Sequence, residues 1–122
     1  MSQQKRIFLI CPVRDADESL KLALGRYVAR LEARGFQVHY PAWDTKQDDP
    51  TGGYDLCRTN FRTMLDAEEI HIWYDESSNG SKFDMGGVFM MHMLGMRKNI
   101  VIANEDHILV DTQKKSFLRV MR

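Results

Sequence analysis

The order of apolar runs in this 122-residue chain predicts an α/β fold, a single-domain three-layer sandwich with a parallel sheet of four to five strands. Two observations lead there. Short runs rich in β-branched and aromatic residues alternate with segments whose apolar residues recur every three or four positions. The first run, Ile7-Phe8-Leu9-Ile10-Cys11, is apolar throughout, which is the pattern of a buried strand. The length suits one compact core, and neither a repeat nor a linker interrupts residues 1–122.

Residues 6–11 form the first expected strand, closed by Pro12. Asp15, with Glu18 three positions later, predicts a capped helix start. Leu20, Leu24, Val28 and Leu31 then recur at helical spacing, and Gly35 stops the helix. Residues 36–40 read as a second strand ended by Pro41. Residues 41–53 read as a polar loop, long for an α/β connection, and loops of that kind are often functional. A helix over 54–65 turns Cys57, Phe61, Met64 and Leu65 inward, and residues 69–74 form a third strand. After the polar loop 75–79, a helix is expected over 84–96. Its apolar residues surround it on all sides, so a second burying surface is expected, as in a homodimer or larger assembly. Residues 99–103 supply a fourth strand and 111–121 a short amphipathic helix. Right-handed crossovers and a strand order of 2-1-3-4 follow as the expected topology.

Composition narrows the function. Hydrophobic residues are 43% and charged residues 28%, as in soluble globular proteins. Seventeen basic and 17 acidic side chains cancel, which argues against nucleic acid or an anionic membrane as the main partner. No apolar run approaches the roughly 18–20 residues that span a bilayer. The polar start Met-Ser-Gln-Gln-Lys-Arg leads into a strand, not a signal peptide, so a cytoplasmic location is expected. Cys11 and Cys57 lie far apart and read as buried free thiols, and the four histidines lack ligand spacing. Neither a metal nor a cofactor is expected.

Parallel strands bring their C-terminal loops to one rim, where open α/β sheets bind ligands. Residues 12–17, 43–53, 75–84 and 104–106 meet there. Arg14, beside a helix start, suits a phosphate, or else pairs with Asp15 or Asp17. Asp84 suits a nucleophile or base, or else caps its helix; Ser81 could take the cap instead and free Asp84 in the first turn. Asp75, Glu76 and the serines could orient a sugar hydroxyl or simply form a solvated turn, as Asp44, Asp48 and Asp49 do. Trp43 at a strand exit could stack on a flat ring, whereas Trp73 reads as core. Cys-Pro-Val-Arg after the first strand excludes a Gly-rich phosphate loop. The chain also lacks a P-loop, a G-x-S-x-G elbow and the acidic pair of a phospho-receiver.

Taken together, the start Ile7-Phe8-Leu9-Ile10-Cys11-Pro12, a helix carrying Asn60 and ending near Glu68, the strand 69–74, and Gly80-Ser81-Lys82-Phe83-Asp84-Met85-Gly86 form an ordered set. This set resembles the nucleoside 2-deoxyribosyltransferase superfamily, which includes nucleoside 5′-monophosphate N-glycosidases, over about residues 5–104. The last segment resembles the family's G-T-x-F-E-x-G, in which the Glu is the nucleophile. The resemblance implies a flavodoxin-like or Rossmann-like sandwich and a small-molecule nucleoside or nucleotide as partner. It implies Asp84 and Asn60 as catalytic residues, with Phe8, Pro12, Arg14, Trp43, Asp75, Ser81 and Gly86 around the substrate.

The chain departs from the pattern at three places. Asp84 replaces the family's Glu, Asn60 replaces the usual Asp, and Phe8 replaces a frequent Tyr. Pro12-Val13-Arg14 resembles the phosphate-side loop of the nucleotide N-glycosidases. The implied chemistry is attack of a carboxylate on C1′ of the (deoxy)ribose, through oxocarbenium-like charge, with transfer to water or a second base. Asn60 would hydrogen-bond the nucleophile or the base. An amide does not titrate, so a general acid would have to be Asp75, Glu76 or water. The alternative readings are a non-catalytic nucleoside- or nucleotide-binding module on the same fold, and an interaction protein built around the Met-rich helix.

Overall fold

The computed structural model describes residues 4–105 and 116–122. Four strands, β1 (Arg6–Ile10), β2 (Gln37–His39), β3 (Glu69–Ile72) and β4 (Asn99–Ile102), form one sheet in the order β2-β1-β3-β4. Every neighbouring pair is parallel, with Ile7 opposite Val38 on one side of β1 and Glu69 on the other. The expected α/β class and strand order are therefore the observed ones. The strands alternate with helices α1 (Glu18–Ala33), α2 (Pro41–Asp44), α3 (Tyr54–Asp66), α4 (Asn79–Met93) and α5 (Phe117–Met121).

The apolar run of β1 explains itself by alternation. Ile7, Leu9 and Cys11 enter one core with Leu24, Val28 and Leu31 of α1. Phe8 and Ile10 point to the opposite side and meet Met64 of α3 and Met85, Val88 and Met91 of α4. A strand covered on both faces cannot alternate polar and apolar residues, and this one does not.

Helix ends repair several of the expected boundaries. Asp17, not Asp15, caps α1: its carboxylate accepts the Leu20 N–H at 2.8 Å. Gly35 ends α1 as expected, at φ 94°, while the Phe36 N–H reaches back to Leu31 O at 3.2 Å. The polar segment 41–53 contains the single turn α2, begun by Pro41 and closed when Asp44 accepts the Tyr40 N–H at 2.8 Å. Asp49 is likewise not merely solvated. It accepts the Leu56 N–H at 2.9 Å and the Thr51 hydroxyl at 2.6 Å, and the hydroxyl and Leu56 bonds hold its carboxyl below the ordinary range. These bonds occupy the start of α3, whose cap position is Gly53 at φ 108°.

The largest correction concerns α4. It starts at Asn79, capped by Ser78, whose hydroxyl accepts the Ser81 N–H at 3.3 Å. Asp84 thus stands in the second turn and caps nothing, and the first turn also belongs to the helix. The helix stops at Met93 rather than Met96, with Gly95 at φ 86° beyond it. Its two apolar sides separate: Met85, Val88 and Met91 enter the core, while Phe83, Met90, Met93 and Leu94 are exposed at 60%, 54%, 63% and 68%. Of the expected tail helix only 117–121 lies within the described residues; 111–115 lie outside them. No helix among the described residues is long and apolar enough to cross a membrane.

Gly87 lets α3 and α4 touch. A Cβ there would lie 1.9 Å from Phe61 Cε1. The Phe61 ring is itself held edge-on by Phe83 at 5.5 Å between centroids, so it cannot swing away freely. Gly87→Ala should therefore lower stability by about 1–2 kcal/mol, the overpacking cost less the gain in helix propensity. Denaturant melts check this. Adding Phe61→Ala should make the Gly87→Ala change neutral or stabilising, and additive losses would contradict the contact.

Candidate functional site

At the C-terminal rim of the sheet a cleft of about 400 Å³ opens between the loop after β1 and the starts of α3 and α4. That size lies within the usual range for small ligands. Larger grooves exist, one of about 670 Å³ beside Tyr27, Arg30 and His71, but it lies at the opposite, N-terminal side of the strands, with Lys5, Phe36 and Glu69. Position and chemistry, not size, single out the rim cleft.

Asp84 is the unusual group. It lines the cleft, is only partly open to solvent, and accepts no hydrogen bond and joins no ion pair among the described residues. Burial alone pushes its carboxyl from the ordinary 3.8 up to about 7. The two cysteines share its cleft. Burial, then the Asp84 charge, raises Cys11 to about 12, and the same two causes in the same order raise Cys57. Both thiols stay protonated and unreactive near neutrality. A nucleophile or base at this rim is therefore a carboxylate.

The opposite charge comes from the loop after β1 and from the start of α4. Pro12 and Arg14 line the cleft, and Arg14 makes no ion pair with Asp15 or Asp17. Ser78, Asn79 and Gly80 line it as well. The N–H groups of Asn79 and Gly80 have no intrahelical acceptor, because the first turn of a helix leaves its donors free. A guanidinium and a helix N-terminus on one cleft suit a phosphate. At the start of α3 the Asp55 and Leu56 N–H groups are already taken, by Thr51 and Asp49.

Asn60, 5% exposed, reaches the same cleft from α3. Its Oδ1 accepts the Thr45 hydroxyl at 2.7 Å, and Thr45 Oγ1 lies 2.8 Å from His39 Nε2. Among the described residues Asn60 Nδ2 has no protein partner and no buried side-chain nitrogen is left unsatisfied, so Nδ2 opens on the cleft that Asn60 lines. The Asp84 carboxylate receives no bond from it.

The structure thus gathers Pro12, Arg14, Asn60 and Asp84 around one cleft and places the other sequence candidates outside its lining. Phe8 is fully covered, stacked on His39 at 5.1 Å, because β1 is central. Trp43 turns outward, edge-on to Tyr40 at 4.8 Å. Asp75 spends its carboxylate on the Ser77 N–H at 2.9 Å and hydroxyl at 2.7 Å. Ser81 is buried and accepts the Ser78 hydroxyl at 2.9 Å, so it supports the cleft from behind. Gly86 lies on the exposed side of α4, away from Asp84. In segment 104–106, Asn104 bridges to the Tyr74 backbone through two bonds of 2.9 Å, and residue 106 lies outside the described residues. Thr45, Cys57 and Asn79 are the neighbours that sequence reasoning passed over. The long polar segment 41–53 was the signal for the first. No group of three metal-ligating side chains occurs among the described residues.

Compared by sequence, the chain matches no protein-family model and no curated protein. Compared by structure, its fold is similar to that of a 2-deoxyribosyltransferase from the psychrotolerant bacterium Bacillus psychrosaccharolyticus. The TM-score is 0.62 at 12% identity, over 95% of this chain and 90% of that one. A likeness of that depth establishes a shared fold, the flavodoxin-like sandwich expected from the sequence.

The raised carboxyl has a stability consequence with a definite sign. Folded Asp84 holds its proton up to about 7, whereas unfolded Asp84 loses it near 3.8. Between these values the folded state binds more protons, so the contribution of Asp84 to stability falls as pH rises. The gap sets an upper limit of roughly 4 kcal/mol. Asp84→Asn should raise Tm by several degrees at pH 8 and leave it nearly unchanged at pH 4. Equal melting of the two proteins at both pH values would contradict the burial of the charge.

Proposed function

We propose that this chain cleaves the N-glycosidic bond of a (deoxy)nucleoside, in particular its 5′-monophosphate, with water or a second base accepting the sugar. The observation that carries the reading is the Asp84 carboxylate at the strand-end cleft, unpaired among the described residues, with the Arg14 guanidinium and helix N–H groups lining the same cleft. The fold shared with a 2-deoxyribosyltransferase supports it.

In the proposed reaction one oxygen of ionised Asp84 attacks C1′. The C1′–N bond breaks, its electron pair leaves with the base, and water supplies the proton that neutralises the base. The resulting glycosyl ester is opened at C1′ by water or a second base, which returns Asp84 to a carboxylate. The poor solvation that raises the carboxyl also keeps it reactive, since few water molecules must be stripped from it before attack. Arg14 and the start of α4 hold the phosphate, and Asn60 directs its amide at the ligand. Neither Asp75 nor Glu76 lines the cleft, so neither serves as the acid.

The direct test is base release from purine and pyrimidine (deoxy)nucleoside 5′-monophosphates, followed by chromatography. Asp84→Asn should lower turnover roughly 10³-fold or more while ligand binding persists. The wild-type kcat/KM should climb with pH to a plateau above about 7, following ionisation of Asp84. Nucleotide binding without turnover in the wild type would move the chain to the binding-module reading.

The exposed residues Phe83, Met90, Met93 and Leu94 lead us to propose a homodimer or larger assembly as well. Light scattering at micromolar concentration should show at least twice the 14.2 kDa chain mass. A Met93→Glu, Leu94→Lys double variant should shift it toward monomer. A wild-type monomer would end the proposal.

A further inference from the structure

We propose that Thr45 is a positioning residue which sets the orientation of the Asn60 carboxamide, and that the chain His39–Thr45–Asn60 can reverse its polarity, so that the cleft presents an amide N–H to an oxo-substituted base or an amide carbonyl to an amino-substituted one. The inference rests on the reading of the cleft as a nucleotide site.

Three side chains form a single file. His39 Nε2 lies 2.8 Å from Thr45 Oγ1, which lies 2.7 Å from Asn60 Oδ1. Thr45 and Asn60 are each 5% exposed, so water does not compete for these bonds. A hydroxyl has one proton to give. In the observed arrangement it goes to Asn60 Oδ1, so Thr45 must accept from His39, which requires the Nε2–H tautomer. The Asn60 Nδ2 donors then face the cleft.

The reversed arrangement satisfies the same atoms. A half-turn of the Asn60 carboxamide makes Nδ2 donate to Thr45 Oγ1. The Thr45 hydroxyl then rotates and donates to His39 Nε2, which must be bare, with the ring proton on Nδ1. Asn60 Oδ1 now faces the cleft as an acceptor. The proton has moved from one ring nitrogen to the other through solvent, and none is gained or lost.

What makes both states accessible is the far end of the file. His39 Nδ1 has no protein partner among the described residues, and His39 lines a separate surface groove beside Arg6 and Asp44. In most buried histidines the second nitrogen is pinned, and that pin fixes the tautomer. Here it is free. Burial also lowers the His39 pKa, with Asp44 as a smaller opposing influence, so the ring stays neutral and able to accept. A nucleobase edge carrying C=O and one carrying NH2 differ by the swap that this file performs. A fixed Asn would accept one edge and be left with a buried mismatch against the other.

The test reads the tautomer directly. Carbocyclic 2′-deoxyadenosine and 2′-deoxyinosine 5′-monophosphates lack the labile glycosidic bond and serve as uncleaved probes. Long-range ¹H–¹⁵N correlation spectra of the full chain assign the proton of His39. We expect Nε2–H in the oxo complex and Nδ1–H in the amino complex. In Thr45→Val the tautomer should no longer respond to which nucleotide is bound, and Thr45→Ser should restore the response. The same His39 tautomer in both wild-type complexes overturns the proposal, as does a response that survives in Thr45→Val. Failure of both probes to bind in calorimetry overturns it too. These readouts follow binding alone, so absent base release would reject the proposed catalysis and leave this result standing.

Discussion

Strand β1 is paired along both edges and covered on both faces, and that position fixes where everything else can go. With β2 and β3 parallel to it, the loops that follow the strands emerge on the same side. Arg14 after β1, Thr45 after β2 and Asp84 after β3, the first and last of them 70 residues apart, share one neighbourhood. The pairing also requires helices on both faces, and the start of α4 is thereby aimed at the cleft. Removing water from the space between α3 and α4, which Gly87 and Phe61 bring into contact, leaves the Asp84 carboxylate poorly solvated.

Desolvation at Asp84 acts on two levels. In the folded chain it is a cost: a carboxylate with neither a cation nor a donor beside it works against folding at neutral pH. In the proposed reaction it would be a source of reactivity, since a nucleophile that is not held by hydrogen bonds needs less reorganisation to attack. Proteins commonly give up stability at their sites in this way. Arg14 and the start of α4 line the same cleft, yet neither lowers the Asp84 carboxyl, whose shift has burial as its cause. The cysteines on the same wall show the local field from the other side, because the environment that raises Asp84 also keeps their thiols protonated.

Much of the fold was legible in the sequence because burial leaves a pattern. The unbroken apolar run of β1, Gly35 at the end of α1 and the periodicity of α3 each state their structure locally. Of the site, Arg14 and Asp84 could be placed on one rim from topology, whereas Asn60 entered through the family resemblance. The start of α4 was hidden, since Ser78-Asn79-Gly80-Ser81 reads as a loop and glycines at 80, 86 and 87 weaken any helical signal. Contacts between residues remote in sequence were hidden for a different reason. Nothing local tells that Phe8 is closed off by His39, or that Thr45 reaches Asn60. Those outcomes depend on how the side chains share the available space, and that is a property of the assembled core.

The account stands on the ionisation of one carboxyl group. Titration of the side-chain ¹³C resonance of Asp84 by NMR, with Asp84→Asn to assign it, measures that ionisation without any substrate. The structure predicts a midpoint of about 7. A midpoint near the ordinary 3.8 would mean a solvated or partnered carboxylate, and would contradict both the cost assigned to its burial and its role as the reactive group of the cleft.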